Sequence, residues 1–572
     1  MTKIHRARWT HAALRAFTLG AVAAPALLLA VALPARADAA PLHAAAVASP
    51  DLYGARAARE ILQAGGNAVD AAVATAFALA VTYPEAGNIG GGGFMTLRID
   101  GKSYFLDYRE TAPAAARADM YLDGKGNVIA GLSEVGVLAS GVPGTVRGLA
   151  EAHRRFGKLT WQQDLAPAIR FAREGFVVDR QFYDLKDANQ SPFLTSTNFQ
   201  RYFGHVEAGK AFRQPELART LERIAKAGPD EFYTGRTARL LVAQMARGKP
   251  RGIVTLADLA GYKPVWREPL VGTWGDFTVV TAPPPSSGGI ALLQLLGMKR
   301  ARADLFAGVP LNSDQYVHLV SEIEKRVFAD RAEYLGDPDF VAVPAARLVD
   351  PGYLARRAAE LDPVKPSALA AVNPGLEKPQ TTHFSIVDHD GNAVANTYTL
   401  NGWFGAGVVV EGAGFLLNDE MDDFSAKPGA PNMYGVVGSS ANAIAPGRRP
   451  LSSMVPSILL RDGQVALVLG SPGGSRIFTS VFQVVADVYD YGLTLEEAQH
   501  SFRFHHQLLP VDTIYSEPYL PIPKPLRAQL EQRGYTIADQ DWNGDVEAVR
   551  VEGGWPIAGP DPRARGVGMV VP

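Results

Sequence analysis

The 572-residue chain contains no cysteine, which excludes disulfide staples, thiolate metal sites and cysteine nucleophiles and leaves stability to core burial. An excess of charge of either sign is also missing. The 56 Lys and Arg stand against 58 Asp and Glu for a formal net charge of -2, so the concentrated basic surface that nucleic acid or an anionic membrane needs is absent. A small neutral or zwitterionic substrate fits that balance better. None of the eleven His falls in the two-His helical spacing of a zinc protease, and the adjacent His505 and His506 point in different directions on any regular element. The Gly90 to Gly93 run lacks both Gly-Lys-Ser/Thr and a spaced dinucleotide fingerprint, so it reads as close backbone approach beneath a site. No Gly-x-Ser-x-Gly elbow occurs, which argues against a serine hydrolase of that kind, and no internal repeat is evident.

What is present is a chain 47% hydrophobic and longer than one simple domain, enough for a large core. Its first forty residues differ in kind. Lys3, His5, Arg6, Arg8 and Arg15 precede an apolar stretch over 16–33, and Ala35-Arg36-Ala37 supplies the small residues that a signal peptidase reads. A membrane anchor is the alternative, because the run approaches spanning length. Pro25, Pro34 and the many Ala favour a cleaved signal peptide over residues 1–37, hence export, to the periplasm if the source is Gram-negative.

Residues 51–81 read as one long amphipathic helix ending before Pro84, and helical signals dominate 132–305 and 313–334. Residues 363–380 are rich in Pro, Ala and Lys without periodicity, as in an exposed loop. Past Thr381 short strands dominate, with helices expected near 494–501 and 524–533.

The tract Gln380-Thr381-Thr382-His383-Phe384-Ser385 opens two alternating runs joined by Asp388-His389-Asp390-Gly391, a hairpin signal. Taken alone, Thr381 is an ordinary β-former. A Thr hydroxyl is a weak nucleophile unless a base sits beside it, and the one base a Thr carries on its own atoms is a freed α-amino group. Cleavage between Gln380 and Thr381 would supply that base. Thr399-Leu400-Asn401, Asn418 to Phe424, Pro450 to Met454 and Gly470 to Arg476 follow in order, and upstream stand Asn88 to Phe94, Leu106 to Glu110, Ser140 to Val146, Pro284 to Gly289 and Asp330 to Pro338. In order, spacing and identity these blocks closely resemble the γ-glutamyltranspeptidase (glutathione hydrolase) family, from about Ala46 to the C-terminus.

That resemblance implies an α+β fold, the four-layer αββα sandwich of N-terminal-nucleophile hydrolases, formed by a large subunit (38–380) and a small subunit (381–572) cut from one precursor and held as a heterodimer. It implies transfer of the γ-glutamyl group of glutathione or other γ-glutamyl compounds to water, an amino acid or a dipeptide, with no metal or organic cofactor and no nucleic acid. Thr381 is the implied nucleophile, Thr399 its hydrogen-bond partner, and Gly473 and Gly474 the oxyanion hole. Arg109, Ser452 and Ser453 match the residues that hold the substrate α-carboxylate; Asn401, Glu420 and Asp423 match those that hold its ammonium. Tyr434 lies in a proline-stiffened loop that some members use as a lid. Gly402-Trp403 depart from the relatives, and Trp403 is a candidate to shape the acceptor side. Cephalosporin or glutaryl acylases of the same fold are the alternative; they would keep Thr381 but have no use for an ammonium pocket.

Overall fold

The computed structural model describes residues 40–368, 381–427, 439–540 and 543–572. The proposed signal peptide, Gln380 and the loop carrying Tyr434 lie outside the described residues. Two antiparallel sheets organise the chain, and their strands are β1 (Ala45–Ser49), β2 (Gly92–Ile99), β3 (Lys102–Asp107), β4 (Val265–Arg267), β5 (Leu270–Trp274), β6 (Phe277–Thr281), β7 (Thr382–Val387), β8 (Ala393–Thr399), β9 (Ser457–Arg461), β10 (Gln464–Gly470), β11 (Glu547–Glu552), β12 (Trp555–Gly559) and β13 (Val567–Val571). The first sheet runs β13-β1-β7-β8-β2-β3-β4 and the second β12-β11-β10-β9-β6-β5. The β7–β8 hairpin forms as its sequence predicts. Gly391 turns at φ 76, the Asp388 carboxylate accepts the Asp390 and Asn392 N–H groups at 2.9 Å each, and Thr382 pairs with Tyr398.

Side chains alternate across each strand, so each sheet has two apolar faces to cover. Ala46, Ala48, Val387 and Ala395 of the first sheet share one buried cluster with Val280, Ile458, Val468 and Val549 of the second. The alternate residues Val47, Ile386 and Val394 instead join Val73 and Phe77 of a helix. On the far side of the second sheet, Leu459, Leu467 and Leu469 pack with Leu292, Leu319 and Phe478, which belong to three helices.

These are α3 (Gly288–Ala301), α4 (Asp314–Tyr334) and α5 (Arg476–Tyr489), whereas α1 (Leu52–Gln63) and α2 (Ala68–Thr82) lie against the first sheet. The single helix expected over 51–81 is therefore two. Gly65 at φ 88 breaks it, and Asn67 starts the second with a capping box closed by Asp70. Every residue of α2 is buried, so it is not the amphipathic surface helix its surroundings led one to expect. The expectation for 132–305 also needs correction, because β4 to β6 lie inside it. Helices at Leu495–His500 and Lys524–Gln532 agree with the sequence. Among the described residues no helix is long and apolar enough to cross a membrane.

Candidate active site

Thr381 stands one residue before β7 and Thr399 ends the neighbouring β8, so the hairpin brings the two hydroxyl oxygens to 3.5 Å. Both residues are buried. The Thr399 hydroxyl also accepts the Asn401 N–H at 2.8 Å, and Asn401 adopts φ 77, a left-handed conformation that Asn tolerates better than most residues. Its side-chain amide donates to the Asp419 carbonyl at 3.1 Å, while the Asp419 carboxylate accepts the Gly402 N–H at 2.8 Å. The 418–423 segment is thereby fastened beside the end of β8.

A 3-10 turn at Glu420–Asp423 presents two carboxylates to Arg109. The Arg109 guanidinium pairs directly with both Glu420 and Asp423, and lies 3.7 Å from Glu110. Burial works against its charge, but the three carboxylates outweigh burial and hold Arg109 above its ordinary pKa. Burial in turn pushes the carboxyls of Glu420 and Asp423 up, against the pull of Arg109. Glu110 is raised by burial to about 7, against the pull of Arg109. The site thus concentrates three acids around one guanidinium, more carboxyl oxygens than Arg109 alone can engage, an arrangement that suits an incoming cation.

Arg109 also donates to the Pro450 and Leu451 carbonyls at 3.4 Å each, which brings the adjoining Ser452 and Ser453 to the same place. The Asn442 amide holds the two segments together, donating to the Asp423 carbonyl at 2.7 Å and accepting the Leu451 N–H at 3.0 Å. Ser452 is stitched to the Ser286–Ser287 turn by its backbone, its carbonyl accepting the Ser287 N–H at 2.7 Å.

Gly473 and Gly474 follow β10 at φ 137 and 56 and lead into α5. Their turn lies at the Thr381 end of the hairpin, since a Cβ on Gly470, at the end of β10, would stand 2.4 Å from the His383 ring. A helix N-terminus offers N–H groups and a positive dipole end to developing negative charge.

Residues 54–571 match the profile of the γ-glutamyltranspeptidase family. The chain belongs to that family. It is 65% identical over 528 residues to the glutathione hydrolase proenzyme of Pseudomonas aeruginosa, covering 92% of this chain and 94% of that one. Among solved structures it is similar to the γ-glutamyltranspeptidase from Pseudomonas nitroreducens complexed with L-DON, at 61% identity and a TM-score of 0.55, over 56% of this chain and 95% of the other. It is also similar to cephalosporin acylase from Bacillus halodurans, at 26% identity and a TM-score of 0.79, over 95% of this chain and 98% of that one.

Three residues at the site went unassigned in the sequence. Besides Glu110, they are Asn88, whose amide donates to the Thr399 carbonyl at 2.8 Å and accepts the Gly91 N–H and Thr145 hydroxyl, also at 2.8 Å, and Arg331 of α4. Each sits in a block that carries the γ-glutamyltranspeptidase resemblance, yet a lone Asn, Glu or Arg is more often a surface residue. Trp403 is buried in the apolar cluster of α1 and α2. One further polar group, Asp70, His153 and Asp164, brings ligand-type atoms within 4.8 Å of one another. The Asp70 carboxylate is engaged there by the N–H groups of Asn67, Lys158 and Leu159, so it closes the start of α2 onto a turn.

Proposed function

We propose that this chain is a self-cleaving γ-glutamyltransferase and glutathione hydrolase in which Thr381 is both the agent of maturation and the nucleophile of turnover. The observation that carries the reading is the pairing of the Thr381 and Thr399 hydroxyls at 3.5 Å within a fold that also gathers Arg109, Glu420 and Asp423 into one buried cluster. The helices packed outside two facing sheets fit the αββα sandwich of N-terminal-nucleophile hydrolases, here with a 1–37 leader directing export and subunits spanning 38–380 and 381–572.

In maturation the Thr381 hydroxyl oxygen attacks the carbonyl carbon of Gln380. The acyl group moves from nitrogen to oxygen, and water opens the resulting ester. The new α-amino group has a reference pKa near ~8, so a useful fraction is neutral at pH 7 and able to act as base. In turnover that amine takes the hydroxyl proton as the Thr381 oxygen attacks the γ-carbonyl of the donor. The Gly473 and Gly474 N–H groups hold the oxyanion, where preorganised donors make a large electrostatic contribution. The amine then gives its proton to the leaving nitrogen, and water or an acceptor amine releases the γ-glutamyl group from the ester. The donor's ammonium takes over the carboxylates of Glu420 and Asp423, its carboxylate takes the Arg109 guanidinium, and Asn401, Ser452 and Ser453 complete the pocket; Tyr434, outside the described residues, is the lid residue that the family resemblance implies.

A cephalosporin or glutaryl acylase is the second reading, favoured by the similarity to the Bacillus halodurans enzyme over nearly the whole chain. A glutaryl group carries no ammonium, so Glu420 and Asp423 have no task in that chemistry. A denaturing gel with N-terminal sequencing, run beside an assay with γ-glutamyl p-nitroanilide, tests the proposal. The expected result is a small fragment beginning at Thr381 and release of p-nitroaniline; active protein that remains a single chain overturns it.

A further inference from the structure

Arg331 lies three residues before the end of α4, inside the Asp330 to Pro338 block, and is buried at 7% exposure. Its Nε donates to the Ser287 hydroxyl at 3.1 Å and its Nη2 to the Ser453 hydroxyl at 3.1 Å. The Ser287 hydroxyl in turn donates a hydrogen bond to the Ser452 carbonyl at 2.8 Å. An Arg has no acceptor to offer, so Ser453 must accept from Arg331 and its own O–H is left to donate elsewhere. One guanidinium thus fixes the Ser452 backbone and sets the direction in which the Ser453 hydroxyl donates.

The charges in the pocket call for a second cation. Arg109 is already shared between Glu420 and Asp423, and Glu110, raised to about 7, adds at most a partial charge at neutral pH. An incoming ammonium offsets the surplus carboxylate, but the α-carboxylate that comes with it restores an uncompensated negative charge in a buried site. Arg331 is close enough to Asp423 to lower that carboxyl's pKa, so its field reaches the same pocket. With it, two guanidinium groups, Arg109 and Arg331, stand by to receive the donor carboxylate beside the Glu420 and Asp423 carboxyls that face its ammonium.

We infer that Arg331 is a positioning residue for the α-carboxylate of the γ-glutamyl donor, acting through the Ser453 hydroxyl and through its charge; this rests on the reading of the site given above. The test compares γ-glutamyl p-nitroanilide with 4-aminobutyryl p-nitroanilide, which keeps the amine and replaces the α-carboxylate by hydrogen. Arg331→Gln should raise KM for the γ-glutamyl anilide by about tenfold to a hundredfold, the usual worth of a hydrogen bond to a charged group, with a much smaller change in kcat. On the 4-aminobutyryl anilide kcat/KM should stay within about twofold of wild type, as expected when no charged partner is lost. Arg331→Lys, which keeps the charge but not the fork, should recover part of the KM. Equal losses on the two anilides, in either variant, overturn the inference and leave Arg331 a structural residue. The Lys variant decides if the Gln variant fails to fold, which the cleaved fraction on a denaturing gel reports. A wild-type protein inactive on the γ-glutamyl anilide overturns the site reading itself, a distinct result.

Discussion

A Cβ on Gly91 would stand 2.0 Å from the carbonyl oxygen of Thr399, the same oxygen that accepts the Asn88 amide. The contact is with backbone, so no side-chain rotation relieves it, and β8 would have to move away from β2. Gly91→Ala should therefore destabilise the protein by roughly 1–3 kcal/mol, the usual cost of overpacking, and displace Thr399 from Thr381. Thermal melting and the cleaved fraction on a gel check this against Gly261→Ala, where the added methyl meets nothing within 4 Å. A fully cleaved Gly91→Ala protein with an unchanged Tm would show that this packing does not seat the site.

Thr381 should be required twice, for cutting and for turnover. Thr381→Ala removes the only oxygen able to start the acyl shift, so the chain should stay whole and inactive. Thr381→Ser keeps an oxygen and should retain some of each activity. Mass spectrometry of wild type should find a fragment of residues 381–572, and a different N-terminus would move the nucleophile elsewhere.

The hairpin was legible because period-two alternation and an Asp-Gly turn are local signals, and the structure forms it where they stand; Thr381 was singled out only by the family resemblance, since alone it reads as a β-former. The break between α1 and α2 was equally local but was passed over, since Gly65-Gly66-Asn67 interrupts a run whose apolar content continues on both sides. The 265–281 strands were hidden by length, being only three to five residues each. The pocket was legible in its charged members only through the family resemblance. Arg109 and Asp423 are 314 residues apart, and nothing in either local sequence announces the other. Arg331 was harder still, because α4 buries Glu322, Glu324, Lys325, Arg326 and Asp330 along with it, so nothing in the charge pattern of the helix sets Arg331 apart.

His383 gives the protein an acid-sensitive core. Ser385 donates to the Glu547 carbonyl at 2.9 Å, so the His383 Nε2 at 3.0 Å donates to Ser385, and Nδ1 accepts from Thr397 at 2.7 Å. Burial lowers this imidazole's pKa to about 3, and burial does the same to His505. Between about 3 and the unfolded value near ~6.5 the unfolded chain binds more protons than the folded one, so stability falls as pH drops through that window and is full above it. The loss should reach a few kcal/mol. Urea midpoints at pH 7.5, 5.5 and 4.5 measure it. His383→Gln, which gains no proton, should be less stable at pH 7.5 yet show a shallower fall, and an identical slope would clear His383 of that role.

Asp423 pairs with Arg109 on the side of the pocket assigned to the ammonium, which separates the two readings of this chain. A glutaryl anilide keeps the carboxylate of the γ-glutamyl group and lacks only its amine. A pocket built with Glu420 and Asp423 should therefore disfavour it, since removing one partner of a buried charge pair costs about 2–5 kcal/mol. Wild type should prefer the γ-glutamyl anilide by a correspondingly large factor in kcat/KM. Asp423→Ala should raise KM for that substrate steeply and penalise the glutaryl anilide far less, because the surplus negative charge that rejects an amine-free donor has been reduced. Measuring both anilides on both proteins decides the matter. Equal wild-type efficiency on the two would sink the transpeptidase reading and promote the acylase, whereas a preference that narrows in Asp423→Ala places the ammonium beside this carboxylate.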